Sequence, residues 1–173
     1  MSNFDADLKN DDIPWFAPFI EIATGSAKYT KTGIKEDLKG IDVYSNNIPI
    51  QCKIRKKYYS YDLCIERAHQ DASTGEWWKG WIHDKPKYDK FLYGWKECFA
   101  GSKSDICLVM DANSLHRSYI ENKSEWDKNT KRNIFTSKDK RGREWWTHCT
   151  YIPVKELRKH FPIGHYSRPM EKK

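Results

Sequence analysis

Apolar residues recur at helical spacing near the start of the chain and at every second position soon after it. Trp15, Phe16, Phe19, Ile20 and Ile22 form one face of a helix that Asp12 can cap, with Pro14 in its first turn and an end near Gly25. Pro18 falls inside and predicts a bend, because it removes a backbone donor. From Gly40 the period becomes two. Ile41 and Val43 alternate with Asp42 and Tyr44, then Ile48, Ile50, Cys52 and Ile54 alternate with Gln51, Lys53 and Arg55. Ser45-Asn46-Asn47 between these runs supplies turn residues, so the pattern predicts a β-hairpin with one oily and one polar face. Pro49 suits the start of its strand and argues against a place deep in a sheet.

Further along, 58–68 reads as a third strand, with Leu63 and Ile65 opposite Asp62, Cys64 and Glu66. A Gly- and Trp-rich loop at 74–81 leads to a fourth strand at 91–95. The apolar run 105–110 reads as a strand buried on both faces. A helix over 113–126 would begin at Asn113 or Ser114. A basic loop follows, then a short strand at 151–154 and a helix at 155–161 stopped by Pro162. Residues 1–173 thus read as one globular α/β unit with flexible ends at 1–11 and 165–173.

Composition adds a partner class. The chain has 31 Lys and Arg against 24 Asp and Glu, a net charge of +7. The surplus is concentrated at Lys128, Lys131, Arg132, Lys138, Lys140, Arg141 and Arg143, a pattern that suits a polyanion and equally describes a solvated basic loop. Trp77, Trp78, Trp81, Trp145 and Trp146 lie near lysines and arginines, and such mixtures can stack on unpaired bases or cover a duplex backbone, with Trp145 and Trp146 favoured beside Arg141 and Arg143, although core packing is the commoner fate of tryptophan. Five cysteines with no C-x-x-C pair, and no apolar leader, point to reduced thiols in a cytoplasmic protein. No apolar run approaches the roughly 18 residues of a membrane helix. The six histidines lack zinc spacing, and no phosphate-binding P-loop motif occurs.

Chemistry concentrates in the hairpin. Residues two apart on a strand share a face, so Gln51 and Lys53 lie side by side, and Asp42 can reach them across the turn. A carboxylate and an amide oxygen are donors that Mg²⁺ or Mn²⁺ accepts, with phosphate oxygens and waters completing the shell. A neighbouring ammonium can orient a metal-bound water and offset charge growing on a phosphate. Ordinary exposed strand residues would produce the same letters.

Gly40-Ile41-Asp42-Val43, a turn, and Ile50-Gln51-Cys52-Lys53 resemble the PD-(D/E)XK nuclease superfamily, in its glutamine-x-lysine form and in the manner of junction-resolvase-like and restriction-endonuclease-like members. The resemblance implies an αβββαβ core, a central mixed sheet flanked by helices. It implies a metal-dependent endonuclease that hydrolyses DNA phosphodiester bonds. Asp42 and Gln51 would bind Mg²⁺ or Mn²⁺ with the Cys52 backbone carbonyl, and Lys53 would activate water. Glu21 would be the helix-borne glutamate that many members add. Gln51 stands where an acid is usual, which keeps a second reading open: a nuclease-fold protein without catalysis that binds nucleic acid or a protein. Arg55, Lys56, Lys131, Arg132, Lys138, Lys140, Arg141, Arg143 and Trp145 are the candidate contacts to DNA, with RNA left open. A homodimer would supply two sites for two strands.

Overall fold

The computed structural model describes residues 12–37, 39–55, 61–96, 104–138 and 142–169. The segment 1–11, expected to be flexible, and Lys56, Lys140 and Arg141 lie outside the described residues. In chain order the elements are α1 (Ile13–Thr24), β1 (Thr30–Lys31), α2 (Ile34–Asp37), β2 (Val43–Ser45), β3 (Ile48–Arg55), β4 (Asp62–Asp71), β5 (Trp77–Lys79), β6 (Lys90–Trp95), β7 (Ser104–Asp111), α3 (Ala112–Trp126), β8 (Thr130–Lys138), β9 (Glu144–Pro153), α4 (Val154–Leu157) and β10 (Gly164–Pro169). They make a mixed α/β chain whose contacts group into two compact units. One holds the described residues of 8–60, 86–114 and 162–173; the other holds 61–85 and 115–161.

The first unit is built on a six-stranded sheet in the order β1-β2-β3-β6-β7-β10. Every pairing is antiparallel except β3 with β6. The hairpin joining β2 to β3 forms where the period-two pattern predicts it. Asn46 and Asn47 both adopt positive φ, 50° and 62°, which a tight two-residue turn requires and asparagine tolerates. Val43 faces Ile50 across the pair, and both are fully buried. With Cys52 and Leu92 they pack against Trp15, Phe16, Phe19 and Ile20, so α1 covers the oily face of the hairpin.

Helix α1 tolerates Pro14 in its first turn and includes Pro18; Asp12 occupies the N-cap position without a side-chain capping bond. Gly25 ends it in the left-handed conformation, donating its N–H to the Glu21 carbonyl at 2.7 Å. Gly94 on β6 lets the helix sit close, since a Cβ there would fall 2.4 Å from the Trp15 ring. Trp15 Nε1 donates to Asp105 Oδ2 at 2.7 Å, and Arg168 Nε on β10 meets the same oxygen at 3.3 Å. That shared carboxylate joins α1, β7 and β10. Residues up to Pro169 are therefore a paired edge strand rather than the flexible tail expected from 165 onward.

Pro49 also finds a physical accommodation. β3 is interior, but its pairing with β6 begins only at Ile50 with Lys90, and the Pro49 carbonyl accepts the Asp89 N–H at 2.9 Å. The position needs an acceptor and no donor.

The second unit carries an antiparallel four-stranded sheet, β5-β4-β9-β8. Several expectations change here. The strand after the hairpin is present, yet β4 pairs with β5 and β9. The neighbour of β3 is β6 instead, because alternation states which face a residue takes and not which strand lies beside it. Asp62 and Glu66, read as a polar side, are buried. The basic run read as a loop forms β8, an edge strand on β9, a place where cations are tolerated and discourage further pairing. Part of the Gly- and Trp-rich loop is β5. Helix α3 starts at Ala112, ahead of the expected Asn113 or Ser114, and its cap is Asp111, whose Oδ1 accepts the Ser114 N–H at 2.7 Å.

Asp127, after α3, ties this unit together. Its carboxylate accepts from Tyr119 Oη at 2.8 Å, Thr150 Oγ1 at 3.2 Å, Arg67 Nε at 2.8 Å and Lys123 Nζ. Burial works against its charge, but the bonds from Lys123 and Tyr119 and the Arg67 charge hold its pKa below the ordinary value. Burial, with the Asp127 bond, pushes the Tyr119 hydroxyl up.

Candidate active site

The site residues converge because of the register of one short hairpin. Asp42 stands immediately before β2; its N–H donates to the Ile50 carbonyl at 2.9 Å, and its Oδ2 accepts the Cys52 N–H at 2.6 Å. A side-chain oxygen thus closes the pairing where a backbone carbonyl would ordinarily serve. Since one strand residue directs its N–H and C=O to the same edge, the Cys52 carbonyl is aimed past the start of β2 as well.

Gln51 lies on the face away from α1, half-buried, while its neighbours Ile50 and Cys52 enter the core. Its amide lies beside Gly40, which the Tyr88 ring also approaches. A Cβ on Gly40 would stand 3.3 Å from Gln51 Nε2 and 3.4 Å from the Tyr88 ring, and Gly40 has φ of 76°, so glycine is needed for both space and backbone. Gln51 Oε1 is buried and has no hydrogen-bond partner in the structure. A buried orphaned acceptor costs about 1–3 kcal/mol unless a cation or water meets it. It is the observation that fits a metal ion here. Among the described residues no group of three His, Cys, Asp or Glu side chains is placed to hold a metal. A centre at the hairpin would combine one carboxylate with neutral oxygens, a hard-donor set suited to Mg²⁺ or Mn²⁺.

Lys53 follows on the Gln51 side of β3, half-buried, and pairs in register with Tyr93 as Gln51 does with Phe91. Phe91, Tyr93 and Trp95 therefore share that face with Gln51, Lys53 and Arg55. Cys52 is no nucleophile candidate: burial, then the Asp42 carboxylate, push its thiol pKa well up.

The remaining candidates separate. Glu21 is exposed on α1, the helix that covers the opposite face of the hairpin, so it does not join Gln51. Arg55 is buried at the end of β3, beside Trp95 in register, rather than presented to a surface phosphate. Lys131, Arg132 and Lys138 are placed by backbone register on β8, opposite Cys149, His148 and Glu144. Arg143 is exposed but engaged: its Nε meets Asp71 Oδ2 at 2.8 Å, and its guanidinium lies 4.9 Å from the Trp78 ring centroid. Trp145 is half-buried, edge-on to Trp78 at 6.3 Å. Gly40 and Tyr88 were not singled out from sequence as site residues. Only the glycine beside a strand start could have signalled one of them.

Among the described residues no helix is long and apolar enough to cross a membrane. No protein-family model, curated protein or solved structure matches the chain.

Proposed function

We propose that the hairpin is the catalytic centre of a metal-dependent endonuclease that hydrolyses DNA phosphodiester bonds, within a restriction-endonuclease-like arrangement of the first sheet. The observation that carries this reading is the buried, partnerless Gln51 Oε1, next in the chain to Cys52, whose N–H the Asp42 carboxylate accepts. Asp42, Gln51 Oε1 and the Cys52 carbonyl would hold Mg²⁺ or Mn²⁺. When bound, the ion supplies Lewis-acid polarisation of a phosphate oxygen and a more acidic water.

The protein's own residues do the rest. Asp42 contributes the one negative charge of the donor set and is fixed by the Cys52 N–H. Gln51 lies against Gly40, which limits the reorganisation its oxygen needs to serve. Lys53 donates to the attacking water or to the phosphate, offsetting charge that grows as the bond to the new oxygen forms.

Purified protein incubated with supercoiled plasmid, linear duplex, single strands and RNA, in Mg²⁺ or Mn²⁺ beside an EDTA control, tests the reading. Metal-dependent scission that EDTA abolishes supports it. No cutting of any substrate, together with salt-sensitive binding, would replace it with the non-catalytic nucleic-acid binder that the missing charge of Gln51 also suits.

A further inference from the structure

The four-stranded sheet carries a feature that the hairpin chemistry does not use. Across β5, β4, β9 and β8, Lys79 is in register with Ala68, His148 and Arg132, and Trp77 with Gln70 and Trp146. Residues in register share a face, so the outer half of this sheet presents two adjacent rows mixing aromatic, polar and cationic positions. The small Ala68 leaves room between β5 and β9, and the Trp77 ring meets the His148 ring at 4.4 Å with a 42° tilt. Trp77 is 53% exposed, the most exposed large apolar side chain among the described residues. A tryptophan left open beside histidine, lysine and a cationic strand is a poor bed for an apolar peptide. It suits a flat aromatic ligand that carries negative charge.

The charge on this side supports that occupant. Lys79 is exposed, and β8 places Arg132 and Lys138 at register positions on the same face; Glu144, across from Lys138, is the acid at the far end of the pair. We propose that this face binds single-stranded nucleic acid, with Trp77 and His148 stacking on an unpaired base while Lys79 and strand β8 neutralise its phosphates. A paired base has no free ring face to offer, so the stacking selects unpaired nucleotides over intact duplex. The inference rests on the reading that the chain acts on nucleic acid and adds the substrate class: a target with an unpaired stretch.

Fluorescence anisotropy of the full chain with a labelled oligothymidylate and with a duplex of equal length, in EDTA so that nothing is cut, tests it. Wild type should bind the single strand. Trp77→Ala should weaken that binding about tenfold, in line with the stacking contribution of one base, while leaving duplex binding unchanged. Trp77→Phe should retain most of the affinity, and Lys79→Ala should reduce the salt dependence. Because the Trp77 side chain is half in solvent, the alanine variant should melt as wild type does. Single-strand affinity equal in wild type and Trp77→Ala, equal losses on both ligands, or no single-strand binding by wild type would each overturn the proposal. A protein that never cuts but shows Trp77-dependent binding therefore fails the nuclease reading alone, and one that cuts without that dependence fails this one alone.

Discussion

The Asp42 carboxylate accepts the Cys52 amide N–H at 2.6 Å, so the residue assigned to the metal also closes the end of the β2 and β3 pairing. The two roles can be separated. Asp42→Ala strands a backbone donor and should lower unfolding free energy by about 1–3 kcal/mol in urea denaturation. Asp42→Asn keeps an oxygen in place and should cost distinctly less, while losing the charge a cation needs. Equal destabilisation by the two variants would show that the oxygen is not what the Cys52 amide requires.

Gln51 gives the opposite signature. Its Oε1 is buried without a partner, so Gln51→Met removes a cost and should leave the melting temperature unchanged or raise it. Calorimetric titration with Mn²⁺ should then show metal binding lost. Gln51→Glu should melt lower without metal, because it buries a charge, and should bind Mn²⁺ about tenfold more tightly, since charged ligands set affinity in such sites. A large stability loss in Gln51→Met would mean that the oxygen has a structural partner.

Away from the hairpin, Asp127 sets part of the acid stability. Its pKa is held below the ordinary 3.8, so the unfolded chain binds its proton more readily than the folded one. The stability this gives is full above 3.8 and lost as pH falls through the lower folded value. Asp127→Asn should cost about 1–3 kcal/mol at neutral pH, toward the low end because Arg67 and Lys123 are about one-third exposed. Urea midpoints measured from pH 7 to pH 3 should fall less steeply for the variant. Parallel curves would remove Asp127 from the acid transition.

The hairpin and the first helix were legible in the sequence because their signals are local. Asn46 and Asn47 announce positive φ, Val43, Ile50 and Cys52 alternate into the core, and Gly25 ends α1. The partnering of strands was not legible. Gln51 and Phe91 come together through a parallel pairing across a long stretch of chain, which period two does not encode. β8 was hidden by its own cations, since a strand that spends its charge on an open edge reads as a loop. β10 was hidden because its anchor is non-local: Arg168 is ordered by Asp105 and the Trp15 ring, 5.3 Å from its guanidinium carbon. Within the site, sequence gave the donor types and their spacing on β3. The closeness of Gly40 to the Gln51 amide, and the exposure of Glu21, required the packed chain.

Lys53 is half-buried and follows Gln51 on the same face of β3, so its role is read most directly in the reaction itself. The decisive measurement is the rate of plasmid scission in Mg²⁺ by wild type and Lys53→Ala, with melting curves confirming that both are folded. Metal-dependent scission by wild type, reduced at least about 100-fold in Lys53→Ala as for loss of a charge-stabilising group at a phosphate, is the expected result. Undiminished Mg²⁺-dependent scission by Lys53→Ala would contradict the assignment of the hairpin as the catalytic centre.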